Sequence, residues 1–221
     1  MPDLLEIATP HGPARAHLHP SAAARAALVL GHGAGGGVNA PDLVASARAA
    51  GAAGVVVVLV EQPYRVAGRR SPAPAAQLDT AWTAVVAELR TGALADLPLV
   101  TGGRSSGARV ACRTAAATGA AGVLCLAFPV HPPGRPEKSR LDELDAVQVP
   151  VLVIQGERDP FGMPPAAKGR EVVTISGDHG LKADHAALEA AVTTWLEGAW
   201  LSSKRGSRRR ARASRGDRSA D

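Results

Sequence analysis

The chain has little of what marks the more specialised protein classes. Two cysteines in 221 residues cannot build a disulfide framework. Cys112 and Cys125 also lack metal-ligand spacing, so they read as buried free thiols. With three Trp, one Tyr and two Phe, Ala and Val must fill most of the core. Apolar runs are short. Residues 55–60 are apolar throughout, far below the roughly 20 needed to cross a bilayer, so no membrane role is expected. The first residues, Met1-Pro2-Asp3-Leu4-Leu5-Glu6, have neither the basic stretch nor the apolar stretch of a secretory signal. A cytoplasmic location is the expectation.

The net charge of +5 is unevenly placed. Eight of the 25 basic residues, but only two of the 20 acidic ones, lie after Leu201. Residues 1–201 are therefore close to neutral. The 202–221 stretch has no apolar side chain larger than Ala and cannot bury enough surface to fold. It reads as a basic disordered tail, with nucleic acid a partner only through that tail. The length suits one α/β domain, here 1–201.

Patterning supports that class. Short segments at 4–8 and 14–19 flank His11-Gly12-Pro13 as strand, turn and strand. Further strands are expected at 26–31, 55–60, 97–101, 122–128, 149–155 and 172–175, several of them apolar throughout. Helices are expected at 41–50 (capped by Asn39 or nearby), 76–90, 108–118 and 183–200, with a loop at 62–74. Strands alternating with helices, with apolar central strands, predict a mostly parallel sheet covered on both faces. Four prolines in 129–140 forbid a helical lid there, so no cap domain is expected.

In such a sheet the site lies at the carboxyl ends of the strands. Polar residues there begin with Gly103-Arg104-Ser105-Ser106-Gly107, a G-x-S-x-G at a strand-to-helix turn. A serine on so sharp a turn needs near-absent side chains two residues either side. Asp159 follows the 149–155 strand and His179 follows the 172–175 strand. Ser105, Asp159 and His179 thus stand in the order nucleophile, acid, base. A serine hydroxyl needs an imidazole to take its proton and a carboxylate to fix that imidazole. Glu157 is the alternative acid. Asp184 and His185 fall at a helix start, where capping explains them better.

A developing oxyanion needs two fixed backbone donors. Ser106 would supply one, and the loop His32-Gly33-Ala34-Gly35-Gly36 the other, through Ala34 or else Gly35. The same glycines match a dinucleotide fingerprint, with Glu61 as the ribose acid. However, Gly37, Val38, Asn39 and Ala40 intervene before the helix, and that reading leaves the triad residues unused. No Gly-Lys-Ser/Thr follows, which excludes a P-loop. No metal or organic cofactor is called for.

These motifs, with Pro63-Tyr64-Arg65, Gly68-Arg69-Arg70, Gln155-Gly156-Glu157-Arg158-Asp159-Pro160-Phe161-Gly162 and Gly177-Asp178-His179, resemble the small α/β-hydrolases related to dienelactone hydrolase. They are also similar to the hydrolase-like domain of a eukaryotic histone-acetyltransferase complex subunit. The resemblance spans residues 3–200 and implies an α/β-hydrolase fold acting on a small-molecule acyl substrate, most simply a carboxylic ester. Dienelactone hydrolases proper use cysteine where Ser105 stands, so lactone cleavage does not carry over. The resemblance draws attention to Tyr64, Arg65, Arg69 and Arg70; with His32, Gly35 and Arg104, which lie beside the turn, Tyr64 and Arg65 are the substrate-binding candidates, although Arg104 could instead brace the turn. A hydrolase-fold module without catalysis is the alternative function.

Overall fold

A computed structural model describes residues 2–22 and 24–198; the basic 202–221 stretch and Trp200, the expected end of the last helix, lie outside them. Strands β1 (Asp3–Ile7), β2 (Ala14–His19), β3 (Ala26–Gly31), β4 (Val55–Glu61), β5 (Leu99–Arg104), β6 (Gly122–Leu126), β7 (Val151–Gly156) and β8 (Arg170–Ile175) form one sheet. Its order is β1-β2-β4-β3-β5-β6-β7-β8. The first hairpin joins β4 antiparallel, and every pairing from β4 to β8 is parallel.

The valine run in β4 shows why the sheet is covered twice. Val55, Val57 and Leu59 enter a core shared with helices α1 (Pro41–Ala52) and α6 (His185–Leu196). Val56, Val58 and Val60 enter another with Leu78, Trp82 and Val85 of α3 (Ala75–Thr91). Alternate side chains of a strand face opposite sides, so an all-apolar strand is stable only when helices lie on both. Burying each such side chain contributes roughly 1.5–3 kcal/mol.

Several boundaries differ from expectation. A short helix, α2 (Pro63–Val66), interrupts the expected 62–74 loop, and another, α5 (Leu141–Asp145), follows the proline-rich 129–140 segment. Helix α4 (Ser106–Thr114) begins two residues earlier than expected and ends sooner. Ala40, not Asn39, occupies the N-cap of α1, with no side-chain cap. Pro41 explains this: its ring pushes the preceding residue into extended geometry and presets the first helical turn. Residues 127–140 contain no helix, and the described residues carry no cap domain.

The chain leaves β3 for β4 on one side and later returns to β5 on the other. That reversal opens a crevice at the carboxyl ends of β3 and β5. The Gly-rich loop and Ser105 both lie there.

Candidate active site

Ser105 has φ 52° and ψ −107°, a conformation that costs a non-glycine residue about 1–3 kcal/mol. Close packing holds it there. A Cβ on Gly103 would sit 2.5 Å from the Gly31 carbonyl oxygen, and one on Gly107 only 2.4 Å from it. The end of β3 is therefore pressed directly against the turn, and both glycines are steric necessities. The Ser105 N–H donates to the Leu126 carbonyl at 2.8 Å, and the Ser105 carbonyl accepts from Arg109 N–H at 3.2 Å.

His179 reaches the turn from the loop after β8. Its Nε2 lies 2.9 Å from Ser105 Oγ, and its Nδ1 2.8 Å from Asp159 Oδ2. This pattern assigns the proton to Nδ1, leaving Nε2 to accept from the serine hydroxyl. The Asp159 side chain is 1% exposed. Glu157, the alternative acid, is turned outward in an ion pair with Arg158. Asp184 caps α6 by accepting from the Ala187 N–H, as its position suggested.

Two neighbours went unassigned in the sequence. Gln155, fully buried at the end of β7, donates through Nε2 to Asp159 Oδ2 at 2.8 Å. Phe161 stacks on the His179 ring with centroids 4.0 Å apart. Phe161 also gives its N–H to Asp159 Oδ1 at 2.9 Å. Its proximity to Asp159 in sequence was the only available hint.

The loop after β3 corrects the expectations for His32 and Tyr64. His32 is buried, with Nδ1 donating to the Gly33 carbonyl at 2.8 Å and Nε2 accepting from Gln62 N–H at 3.1 Å. Both ring nitrogens are committed to backbone, so the ring does not face substrate. Burial lowers its pKa despite the Gly33 bond, which keeps the ring neutral. Tyr64 donates its hydroxyl to the Ala34 carbonyl at 3.0 Å, and burial raises its pKa.

These two contacts orient donors. In a trans peptide the N–H points opposite the carbonyl. Holding the Gly33 carbonyl therefore aims the Ala34 N–H, and holding the Ala34 carbonyl aims the Gly35 N–H. Among the described residues, the N–H groups of Ala34, Gly35 and Ser106 take part in none of the turn, loop or cap hydrogen bonds. Gly35 itself is exposed, with open space where a Cβ would stand.

Both arginines expected near substrate have partners in the protein. Arg65 donates to the Arg69 carbonyl at 3.1 Å and so closes its own loop. Arg104 braces the site. Its Nε lies 2.8 Å from Oδ2 of fully buried Asp42, a contact of charges without hydrogen-bond alignment. Its Nη2 donates to the His179 carbonyl at 3.0 Å, and Nη1 would touch a Cβ on Gly33 at 3.0 Å. Burial raises the Asp42 pKa, with Arg104 opposing.

Solved structures of other proteins share the fold. A protein from Xanthomonas campestris, XC6422, described as an α/β serine hydrolase without a lid, is 22% identical with TM-score 0.73, over 89% of this chain and 94% of its own. Est1E from Butyrivibrio proteoclasticus is 17% identical with TM-score 0.72, over 89% and 98%. A dienelactone hydrolase from Anabaena variabilis is 16% identical with TM-score 0.70, over 90% and 98%. Such likenesses bear on the fold, and none of them extends to a histone-acetyltransferase subunit. No curated protein matched. A family model described as an alpha/beta hydrolase domain matches residues 24–194, and the chain belongs to that family.

Proposed function

We propose that the protein is a serine esterase acting on a small or protruding acyl group. The observation that carries this reading is the unbroken chain from Ser105 Oγ through His179 to buried Asp159. That chain sits on a strained turn beside uncommitted backbone donors. The Ser105 oxygen attacks the substrate carbonyl while His179 Nε2 takes its proton. Asp159 stabilises the imidazolium and fixes the ring. The N–H groups of Ala34 and Ser106 hold the oxyanion, a contribution of about 3 kcal/mol per donor. The imidazolium then protonates the leaving alcohol, giving an acyl-Ser105 ester. Water attacks that ester with His179 again as base, releasing the acid and restoring the serine.

The absence of a cap among the described residues fits a site open to solvent. The descriptions of XC6422 as a serine hydrolase and of a Pyrococcus furiosus relative as an esterase agree with this reading. Labelling with a fluorophosphonate probe tests it. Wild type is expected to label and to hydrolyse a short nitrophenyl ester, and Ser105→Ala to do neither. Equal labelling of the two proteins would sink the mechanism.

A further inference from the structure

Gln155, near the end of β7, has a fully buried side chain, and its amide nitrogen meets three oxygens. Asp159 Oδ2 lies at 2.8 Å, the Gly162 carbonyl at 2.9 Å and the Phe128 carbonyl at 3.1 Å. An ionised carboxylate and two carbonyls only accept, which fixes Nε2 rather than Oε1 on that side. The amide oxygen has no hydrogen-bond partner among the described residues. Gln155 thus leaves an acceptor unpaired, which destabilises the fold, and turns all its donors towards Asp159 and the backbone around it.

The contact with Asp159 falls on the oxygen that His179 uses. Oδ2 also takes the His179 Nδ1–H at 2.8 Å, so both of its lone pairs are occupied. The backbone of the Asp159 loop is tied down separately. Glu157 N–H donates to the Ile175 carbonyl and Arg158 N–H to the Gly177 carbonyl, each at 2.9 Å. What backbone cannot set is the rotation of the carboxylate about its last bond, a soft torsion. Two donors set it, one at each oxygen: the Phe161 N–H on Oδ1 and the Gln155 amide on Oδ2.

We propose that Gln155 is the positioning residue of the triad acid: by donating to Asp159 Oδ2 it holds the carboxylate in the rotation that presents this oxygen to His179 Nδ1. The proposal rests on the serine-esterase reading, in which Asp159 orients His179. Gln155 touches neither substrate nor the Ser105 oxygen and acts through Asp159 alone. A ring bonded to a fixed carboxylate keeps Nε2 on Ser105 Oγ. A ring facing a swinging one leaves that position for part of the time, and small misplacements of a catalytic group are costly in rate.

The test pairs ester kinetics with proton NMR, in which an imidazole N–H bonded to a carboxylate gives a signal far downfield. Wild type is expected to show this signal from His179, and Asp159→Asn to lack it, which assigns it. Gln155→Met keeps the length of the side chain without its donor. Its kcat on a short nitrophenyl ester is expected to fall about tenfold to a hundredfold, with KM within about twofold of wild type. The His179 signal is expected to move or broaden with it. Val130→Ala, at a buried residue packed against Gly162, removes packing only; it is expected to lower the melting temperature and to leave signal and kcat unchanged. Gln155→Asn, whose amide stops one methylene short, is expected to behave as Gln155→Met and serves if that variant fails to fold. A Gln155→Met protein with wild-type kcat overturns the proposal. So does one whose kcat falls while the His179 signal stays in place, the behaviour of a residue that only packs, and so does a wild type without the signal. The signal needs no substrate: if wild type cleaves no ester, the esterase reading falls, and the NMR comparison still decides whether Gln155 positions Asp159.

Discussion

The two halves of the site are held by different means. The Ser105 half, on β3 and β5, is fixed by backbone: Gly103 and Gly107 lie against the Gly31 carbonyl, and Ser105 hydrogen-bonds to β6 and α4 through its own main chain. The Asp159–His179 half, on the loops after β7 and β8, adds side-chain contacts to its backbone packing, in which a Cβ on Gly156 would lie 2.3 Å from the Asp178 carbonyl oxygen. The Gln155 side chain and the Phe161 main-chain N–H grip Asp159, and the Phe161 ring stacks on His179. The first half is set once the sheet forms. The second depends in addition on a few side-chain atoms. A substitution in the first half should therefore damage fold and activity together, and one in the second should damage activity alone.

The largest effect should separate the halves. Asp159→Asn retains shape but loses the charge that holds the His179 tautomer, and kcat is expected to fall about 10⁴-fold with the melting temperature within a few degrees of wild type. Circular dichroism melting beside ester kinetics checks both. A large loss of stability would mean that Asp159 also holds the fold. Gly107→Ala should instead damage both, because its new methyl meets backbone that cannot yield. A stability loss of about 1–3 kcal/mol is expected, with activity down about 10²-fold as the Ser106 donor shifts. Urea unfolding reads the first; unchanged stability would show that the turn adapts.

The smallest effect concerns His32, where a side chain serves the backbone half. Burial lowers its pKa below the usual 6.5, so the folded protein resists the proton that the unfolded chain accepts. Its contribution is intact above about pH 6.5 and is lost as pH falls from there through the lowered folded value, by at most about 1.4 kcal/mol per pH unit. Melting temperatures of wild type and His32→Gln between pH 8 and 5 should converge towards acid. Parallel curves would show that His32 does not titrate in this window.

That division also explains what could be read from the chain alone. Ser105, Asp159 and His179 were legible because sequence order and strand ends place them, and glycine spacing betrays the turn. The donor role proposed for Ala34 was read from its place in a Gly-rich loop. The true partners of His32 and Tyr64 were hidden: nothing local says that their rings turn inward onto Gly33, Gln62 and Ala34. Gln155 looks like any residue at a strand end until β6 and β7 are packed, when its amide meets Phe128, Asp159 and Gly162. Helix starts failed for a simpler reason. Proline geometry outranked a favourable cap at Asn39, and the elbow itself starts α4 at Ser106.

Arg104 makes the two halves mechanically dependent. A single guanidinium rests on Asp42 at the start of α1, lies under Gly33 of the donor loop and holds the His179 carbonyl. The residue before the nucleophile is thus a shared strut. For anyone reshaping this site, Asp42 and Arg104 form one design variable: exchanging Arg104 alone leaves the buried Asp42 carboxyl without its counterpart and releases the Gly33 loop and the His179 loop together.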